Sequence, residues 1–435
     1  MKIKVIKKPY EEVIRLKNDF GFKPRRPSFL LRTLVYLLSQ RELRDVRFKY
    51  DASALDKLKR GEPFLALMNH SSFIDLKIAS KILYPRPFCI VCTTDGFIGK
   101  KRLMQNLGCI PAIKFVADTR LVRNLVYAVR RLRAPILMYP EASYSFDGCA
   151  TPLPDSLGKC VKLLGVPVVM IRTYGAFLHD PLYNGLRLRD CDVSAKVEYL
   201  LSASEVKSRS ADEINSLVKS RFTFDNFRLQ TENGIKITEP FRAEGLNRVL
   251  YKCPNCETEG KMNARGSKLS CAACGSVYEL TEDGRMEAKN GGKCISHIPD
   301  WYAWERECVK RELEAGKYRL DIPVNIKIAA DTRAVYDVGD GRLVHTKEGF
   351  HLTGSDGKLD YKQSPAASYS LYSDYFWYEL GDMVCIGDAR MQYYCFPKLP
   401  CDIAAKTRLA AELLYRAHSV VAAADIGGRV DDKPH

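Results

Sequence analysis

Long apolar runs are missing from this chain of 435 residues. The longest candidates, Phe29–Leu38 and Val166–Ile171, fall short of the roughly 18–20 residues that a membrane-spanning helix needs, and Arg32 interrupts the first. A secretory signal is missing too, because the basic stretch Met1–Tyr10 is not followed by an apolar region and a cleavage site of small residues. We therefore expect a cytoplasmic protein without a spanning segment.

The chain also lacks the even number of cysteines that a disulfide framework would use. The chain has 15 cysteines, and only one pair of Cys-x-x-Cys elements has the spacing of a metal site. The remaining thiols are scattered through apolar surroundings. This usage predicts reduced thiols in a reducing compartment and argues against a disulfide framework.

Acidic residues are outnumbered, most of all near the start of the chain. The formal net charge is +16, and residues 1–50 hold 14 Lys and Arg against 5 Asp and Glu. Such a surplus suits anionic lipid headgroups, nucleic acid or a polyphosphate ligand equally well. Charge alone therefore selects no partner.

Residues 1–50 are predicted to form a basic helical N-terminal segment, with two stretches divided between Pro24 and Pro27. Within Ser28–Gln40 several apolar residues recur at helical spacing, which gives one helix face an apolar character. That face fits either a bilayer surface or packing against the next domain. Its residues are Phe29, Leu30, Leu34, Leu37 and Leu38.

Residues 51–237 alternate short apolar runs with helical patterns. The alternation predicts an α/β fold, a layered domain with buried strands between helices. The strand candidates are Phe64–Met68, Pro87–Cys92, Ile136–Tyr139 and Val166–Ile171, and the clearest helix candidate is Thr119–Arg133.

Residues 250–282 form a small Cys-rich module. Cys253 and Cys256 make one Cys-x-x-Cys element, Cys271 and Cys274 make another after 14 intervening residues, and Gly275 suits a tight turn after the second. Four thiolates in this pattern predict a closed tetrahedral site for a structural Zn²⁺, in a module that resembles a zinc ribbon. Its loop is poor in basic residues, so nucleic acid is not an expected partner.

Residues 295–420 carry a series of short strand patterns between two helix patterns. This order predicts a β-rich domain with a terminal helix, a small barrel resembling the pleckstrin-homology type, and a disordered tail follows at 425–435. The signals are a helix over Trp301–Gly316, alternation of Val324, Ile326 and Ile328, hairpin turns at Asp340-Gly341 and Asp356-Gly357, and a helix from Asp402 to His418.

The segment from Met68 to Asp75 is the strongest candidate for chemistry. It follows a strand pattern directly, which places His70 at the strand end and Asp75 in the first turn of the next helix. Positions five apart on one helix point about 140° apart, so the two side chains meet only if His70 precedes the helix and Asp75 reaches back. Asp75 would then fix the tautomer and leave the other ring nitrogen basic toward a hydroxyl. A His and an Asp at this spacing alone are more often structural.

Four sequence blocks in a fixed order favour a catalytic role for His70 and Asp75. Asn69-His70-x4-Asp75 resembles the first motif of the glycerol-3-phosphate and lysophosphatidate acyltransferases, and three more blocks follow in the order and spacing of that family. Gly108–Lys114 resembles the second block, Tyr139–Ser145 the third, which is usually Pro-Glu-Gly-Thr-Arg-Ser, and Gly165–Val169 the fourth. The resemblance covers roughly residues 60–200.

The resemblance implies transfer of a fatty acyl group from acyl-CoA or acyl-carrier protein to a hydroxyl of a lysophospholipid, with 1-acyl-glycerol-3-phosphate the leading acceptor. It implies that His70 is the general base and Asp75 its orienter. Because a thioester is already activated, positioning, deprotonation and oxyanion stabilisation suffice, and no Gly-x-Ser-x-Gly elbow is present. The implied substrate-binding residues are Asn69, Lys114, Glu141 and Ser143.

The third block departs from the family where Ala142-Ser143-Tyr144 replaces Gly-Thr-Arg. Tyr144 cannot replace arginine as a bidentate phosphate partner. The charge could come instead from Arg120, Arg123, Arg130 or Arg131, or the acceptor could carry no phosphomonoester. A catalytically silent lipid-binding scaffold is the hypothesis from another class, and the intact pair of His70 and Asp75 argues against it. We expect peripheral association with the inner face of the membrane, and the sequence makes no prediction of oligomeric state.

Overall fold

The computed structural model describes residues 3–398 and 403–427. None of the described helices is both long and apolar enough to cross a membrane. The strands are β1 (Val5–Lys7), β2 (Lys49–Asp51), β3 (Leu65–Met68), β4 (Cys89–Thr93), β5 (Cys109–Ala112), β6 (Ile136–Met138), β7 (Val168–Tyr174), β8 (Ser194–Leu201), β9 (Met262–Arg265), β10 (Lys268–Cys271), β11 (Val277–Leu280), β12 (Met286–Ala288), β13 (Leu320–Ile328), β14 (Val335–Thr346), β15 (Gly349–Gly354), β16 (Leu359–Gln363), β17 (Tyr372–Asp374), β18 (Met383–Gly387) and β19 (Gln392–Pro397).

The α-helices are distributed along the same described residues. They are α1 (Tyr10–Val13), α2 (Phe29–Asp45), α3 (Asp75–Leu83), α4 (Lys101–Asn106), α5 (Thr119–Arg130), α6 (Leu157–Leu164), α7 (Ala176–His179), α8 (Ala203–Ser208), α9 (Ala211–Arg221), α10 (Asn226–Glu232), α11 (Ile298–Glu314) and α12 (Ile403–Gly427).

The chain divides into two compact units. The first, here called the α/β unit, comprises Asp19–Lys114 and Asp118–Tyr302. The second, here called the terminal unit, combines the described residues through Asn18 with a short piece at 115–117 and the described residues from Ala303 onward. The predicted order of an α/β domain followed by a β-rich region is confirmed in outline.

A seven-stranded sheet forms the centre of the α/β unit, in the order β2-β8-β7-β3-β6-β4-β5. All pairs are parallel except β7 with β8. Side chains alternate across β3, so Leu65 and Leu67 join an apolar cluster with α5, α6 and α9, whereas Ala66 and Met68 join a cluster with α2 and α3. Helices on both faces therefore bury β3 completely, which explains why its sequence is a continuous apolar run.

A separate four-stranded antiparallel sheet, in the order β12-β11-β10-β9, forms the Cys-rich module. Trp301 closes one side of this module, where its indole N–H donates to the carbonyl of Lys252 at 3.0 Å. The ring of Trp301 also meets Tyr278 edge-on, with the ring centroids 5.1 Å apart.

The terminal unit contains an eight-stranded sheet. Seven strands follow the order β16-β15-β14-β13-β19-β18-β17, and β1 adds a parallel strand to β14. The two meanders β13–β16 and β17–β19 meet where β13 pairs with β19, and α12 follows the last strand.

Three details differ from the sequence predictions. Residues 1–50 are not one helical segment, since β1 and α1 belong to the terminal unit and α2 to the α/β unit. The Asp340-Gly341 turn is wrong, because both residues lie inside β14, where a Cβ on Gly341 would meet Ile326 Cδ1 at 2.4 Å. Glycine there permits close packing and does not form a turn. Helix α12 continues through Gly427 into the predicted tail, of which 428–435 lie outside the described residues.

We predict that the terminal unit depends on residues near the start of the chain. Val13 is fully buried in the apolar cluster of that unit, whereas its neighbour Ile14 is 46% exposed. Val13→Ala should lower the stability of the unit by about 2 kcal/mol and Ile14→Ala by much less, because only the first leaves a cavity. Hydrogen exchange should accelerate in β14 in the Val13 variant and stay slow in β3 and β7. Equal effects of the two variants would contradict the placement of Val13.

Candidate functional site

The loop between β3 and α3 leaves the carboxyl end of a central strand. Asn69, fully buried, ties this loop to the neighbouring strand β7. Its side-chain oxygen accepts from the Thr173 amide at 2.8 Å, and its side-chain nitrogen donates to Thr173 Oγ1 at 2.9 Å and Ser71 Oγ at 3.1 Å. Asn69 therefore holds the start of the loop against β7.

His70 and Asp75 meet in the geometry on which the sequence argument depended. His70 precedes α3, Asp75 is its first residue, and His70 Nδ1 lies 3.0 Å from Asp75 Oδ2. The same carboxylate oxygen accepts from the amides of Ser71 at 2.7 Å and Ser72 at 3.1 Å. A carboxylate so held orients the imidazole with Nδ1 as donor, which leaves the lone pair on Nε2.

The electrostatic surroundings favour neutral His70. Burial lowers the pKa of the imidazole, the Asp75 carboxylate opposes this shift, and the positive charge of Lys114 adds to it. The His70 side chain nevertheless keeps about a fifth of its surface exposed while Asp75 is buried. A neutral, partly exposed imidazole is able to accept a proton near neutral pH.

Glu141 is a second carboxylate behind the loop. Its Oε2 accepts from the His70 amide at 2.8 Å, and its Oε1 accepts from the Thr151 amide at 2.8 Å and the Thr151 hydroxyl at 3.2 Å. The side chain is fully buried, and burial raises its pKa to about 7 against these hydrogen bonds. Both oxygens are engaged by the protein, so the contacts of Glu141 are those of a residue that holds the loop.

Asp180 is a third carboxylate beside the loop, from outside the four sequence blocks. It is 2% exposed, and its Oδ2 accepts from the Phe73 amide at 3.3 Å. The four successive amides from His70 to Phe73 are therefore all hydrogen-bonded to carboxylates, which belong to Glu141, Asp75 and Asp180. The sequence offers only the adjacent pair His179-Asp180 as a signal, and this pair lies at the end of the short helix α7.

Two tyrosines enclose the imidazole. The ring centroid of Tyr139 lies 4.2 Å from that of His70 and the centroid of Tyr144 lies 4.1 Å away, at interplanar angles of 27° and 37°. Two such rings cannot share one face of an imidazole at these distances, so they cover opposite faces and restrict its rotation. Phe73, which is exposed, meets Tyr144 edge-on at 5.7 Å. Tyr144 thus fills the position next to the base where the resembling family has arginine.

The other two predicted substrate residues differ in placement. Lys114, at intermediate burial, lies near enough to His70 to lower its pKa. Ser143 is 2% exposed, and its hydroxyl donates to the carbonyl of Tyr144 at 3.3 Å. The positive charge of Lys114 therefore acts on the base, and the side chain of Ser143 is buried.

The four cysteines of the Cys-rich module converge. Their sulfur atoms all lie within 4.8 Å of one another, and the pairs Cys253–Cys274 and Cys256–Cys271 are 3.7 Å apart. A tetrahedron with Zn–S bonds of about 2.3 Å has edges of about 3.8 Å, so the spacing fits a single zinc ion. This cluster is able to hold a metal and offers sulfur ligands only.

Comparison with known proteins identifies the central segment. Residues 49–173 match the family model of the acyltransferase domain. Among solved structures, the chain is similar to the 1-acyl-sn-glycerophosphate (LPA) acyltransferase PlsC from Thermotoga maritima, at 13% identity and a TM-score of 0.35, over 44% of this chain and 78% of that chain. No curated protein matches the chain significantly.

We predict that Ala142 stores backbone strain at the third block. Its φ is +56°, a left-handed conformation that costs an L-residue roughly 1–2 kcal/mol. Ala142→Gly should therefore stabilise the α/β unit by up to about 1 kcal/mol, whereas Ala128→Gly inside α5 should destabilise it by about 1 kcal/mol. Urea denaturation of both variants tests this, and a destabilising Ala142→Gly would mean that the turn tolerates alanine without strain.

Proposed function

Since residues 49–173 form an acyltransferase domain, we propose that the protein transfers a fatty acyl group from acyl-CoA or acyl-carrier protein to a lysophospholipid, with 1-acyl-glycerol-3-phosphate as the first acceptor to test. The observation that carries the proposal is the hydrogen bond between His70 Nδ1 and Asp75 Oδ2, with the carboxylate oxygen fixed by two backbone amides. This is the arrangement of a general base with its orienting acid.

The chemistry needs a single base. His70 Nε2 takes the proton of the acceptor hydroxyl while the hydroxyl oxygen attacks the thioester carbonyl carbon. The tetrahedral intermediate collapses with cleavage of the carbon–sulfur bond, and the imidazolium returns its proton to the departing thiolate. Asp75 remains ionised and stabilises the imidazolium that forms between these steps.

Two residues near His70 favour acceptors of different charge. Lys114, near His70, is a cation suited to an acceptor phosphate. Tyr144 beside the same imidazole supplies no charge, which favours acceptors whose phosphate is esterified to a headgroup. We therefore keep the neutral and zwitterionic lysolipids as a second acceptor class.

An exposed apolar face on α2 supports delivery of the lipid from a bilayer surface. Five side chains on this helix are 50% exposed or more, although α2 packs on α3 through Tyr36, which stacks on Tyr84 at 4.2 Å. Phe73 and Leu76, three and six residues after His70 in the chain, are exposed as well. An amphiphilic acceptor buried in a membrane would meet such a face first, so we propose peripheral membrane contact here. The five side chains are Phe29, Leu30, Leu34, Leu37 and Leu38.

We predict that thiol release from palmitoyl-CoA, or from palmitoyl acyl-carrier protein, requires both a lysolipid and His70. His70→Ala should lower kcat by about 10³-fold or more, because the base is removed, and Asp75→Asn should lower it strongly through loss of the tautomer. Lys114→Met should raise KM for lysophosphatidate more than for lysophosphatidylcholine, while Lys59→Met, a change at an exposed site, serves as the matched control.

Each acceptor result has a distinct meaning. Release with lysophosphatidate alone supports the leading acceptor, and release with zwitterionic lysolipids alone retains the chemistry and changes the substrate. Absence of His70-dependent release with every acceptor, in folded protein, would reject the proposal in favour of a lipid-binding scaffold.

We also propose that the four-cysteine cluster holds a structural zinc ion. All four sulfur atoms converge at tetrahedral spacing, so a bound ion would have no open position for water or substrate. Its role would be to hold the β9–β12 sheet together. For the terminal unit, the strand order and the following helix α12 support a pleckstrin-homology-like barrel.

We predict one equivalent of zinc per chain, lost in Cys271→Ser and retained in Cys294→Ser, since Cys294 lies outside the cluster. Metal analysis of purified protein gives the stoichiometry, and chelation should lower the stability of the module because metal binding is coupled to its folding. Equal zinc contents of the two variants would refute the assignment.

A further inference from the structure

Phe73 lies at the end of the loop that carries His70, and its amide contacts the carboxylate of Asp180 from a distant part of the chain. The Phe73 amide donates to Asp180 Oδ2 at 3.3 Å, immediately after the Ser71 and Ser72 amides donate to Asp75. Asp180 thereby fixes the end of the segment whose middle two amides orient Asp75. We propose that Asp180 is a positioning residue for the pair His70–Asp75, an inference that rests on the proposed acyltransferase function.

The segment that carries Asp180 is itself held rigidly from the other side. His179 Nδ1 donates to the carbonyl of Arg189 at 2.7 Å, and the Arg189 amide donates to the carbonyl of His179 at 2.8 Å. Gly175 begins this segment at a φ of +77°, where a Cβ would lie 2.2 Å from the carbonyl oxygen of Asp192. Asp180 is therefore fixed by the framework of the unit, without any help from a substrate.

A buried carboxyl is costly unless it is paired or neutral, so the presence of one here requires a reason. Asp180 Oδ1 and Ser72 Oγ are both buried and make no hydrogen bond of good geometry among the described residues. The groups that face Asp180 are Asp75 on α3, Ser72 and Phe73 in the loop, and Glu42 on α2, whose own charge is offset by Lys77. No cation balances Asp180 directly among these neighbours.

Asp180 consequently acts in its uncharged form. Burial, helped by the nearby Asp75 carboxylate, raises its pKa to about 8, against the effects of Ser72 and the Phe73 amide. Below this pH the neutral carboxyl accepts from Phe73 without placing a second charge beside Asp75. Above it the ionised carboxyl repels Asp75 and disturbs the orientation of His70.

Two substitutions at Asp180 separate positioning from simple stability. Asp180→Asn keeps an oxygen acceptor and the neutral charge, so its kcat should stay close to that of the wild type. Asp180→Ala removes the acceptor and should lower kcat by up to about 100-fold, because a displacement of a catalytic group by about 1 Å has an effect of this size, with KM little changed. The decline of kcat above pH 8 expected for the wild type should be absent in Asp180→Asn.

Gln230→Ala is the matched control. Gln230 in α10 is as buried as Asp180, and its side-chain nitrogen donates to the carbonyl of Glu282 at 2.8 Å, away from the loop that carries His70. It should lower the unfolding midpoint as Asp180→Ala does and leave kcat near wild type. Loss of kcat in both variants in proportion to lost stability, or an Asp180→Asn variant as inactive as Asp180→Ala, would overturn the proposal.

A second readout keeps the two proposals distinguishable. In the NMR titration of His70, assigned by comparison with His70→Ala, the pKa of the imidazole should lie below its ordinary value in the wild type and should shift in Asp180→Ala, because a loosened loop changes both the burial of the ring and its contact with Asp75. If thiol release fails with every acceptor but this shift occurs, the acyltransferase proposal fails and the positioning by Asp180 stands. An unchanged His70 titration in Asp180→Ala would overturn the positioning role, whatever the activity.

Discussion

Four backbone amides that face three buried carboxylates are the constraint on which the site depends. The loop from His70 to Phe73 must leave a fully buried strand and turn within a few residues into α3, so its N–H groups are withdrawn from water. Glu141, Asp75 and Asp180 come from three different places in the sheet and its connections, and each accepts at least one of these amides. These hydrogen bonds fix the loop and thereby the position of the His70 imidazole.

The sequence predicted the central strands and the pair His70 and Asp75 because both leave local signals. A buried strand such as Leu65–Met68 is a continuous apolar run, and a strand end followed by a helix start places two polar side chains within reach. The roles of Glu141 and Asp180 could not be predicted, because they depend on which amides lie nearby in the fold. Ser143 shows the same limit, since its residue type suits a substrate contact and only the fold reveals that its side chain is buried.

The terminal unit was predicted less completely, for a reason of distance along the chain. β1 has only three residues, and its partner β14 begins at Val335, more than 300 residues later. No local sequence pattern therefore predicts this pairing. The meander of β13 to β16 was predicted better, since its pairs join neighbouring strands. At Gly341 a glycine is required for close packing inside a strand, but glycine is also typical of a turn. The sequence pattern does not distinguish these two roles.

The pairing of β1 with β14 has a consequence for synthesis of the chain. Val5–Lys7 leaves the ribosome long before Val335–Thr346, so the first strand of the terminal unit must wait while the whole α/β unit is made. The α/β unit contains neither β1 nor β14, so its own sheet is able to form in this interval. Larger proteins generally fold one domain at a time in this way. The segment with Val13 remains without its apolar neighbours during that time, and these neighbours, which lie between Val324 and Ala411, bury it only after they have been made.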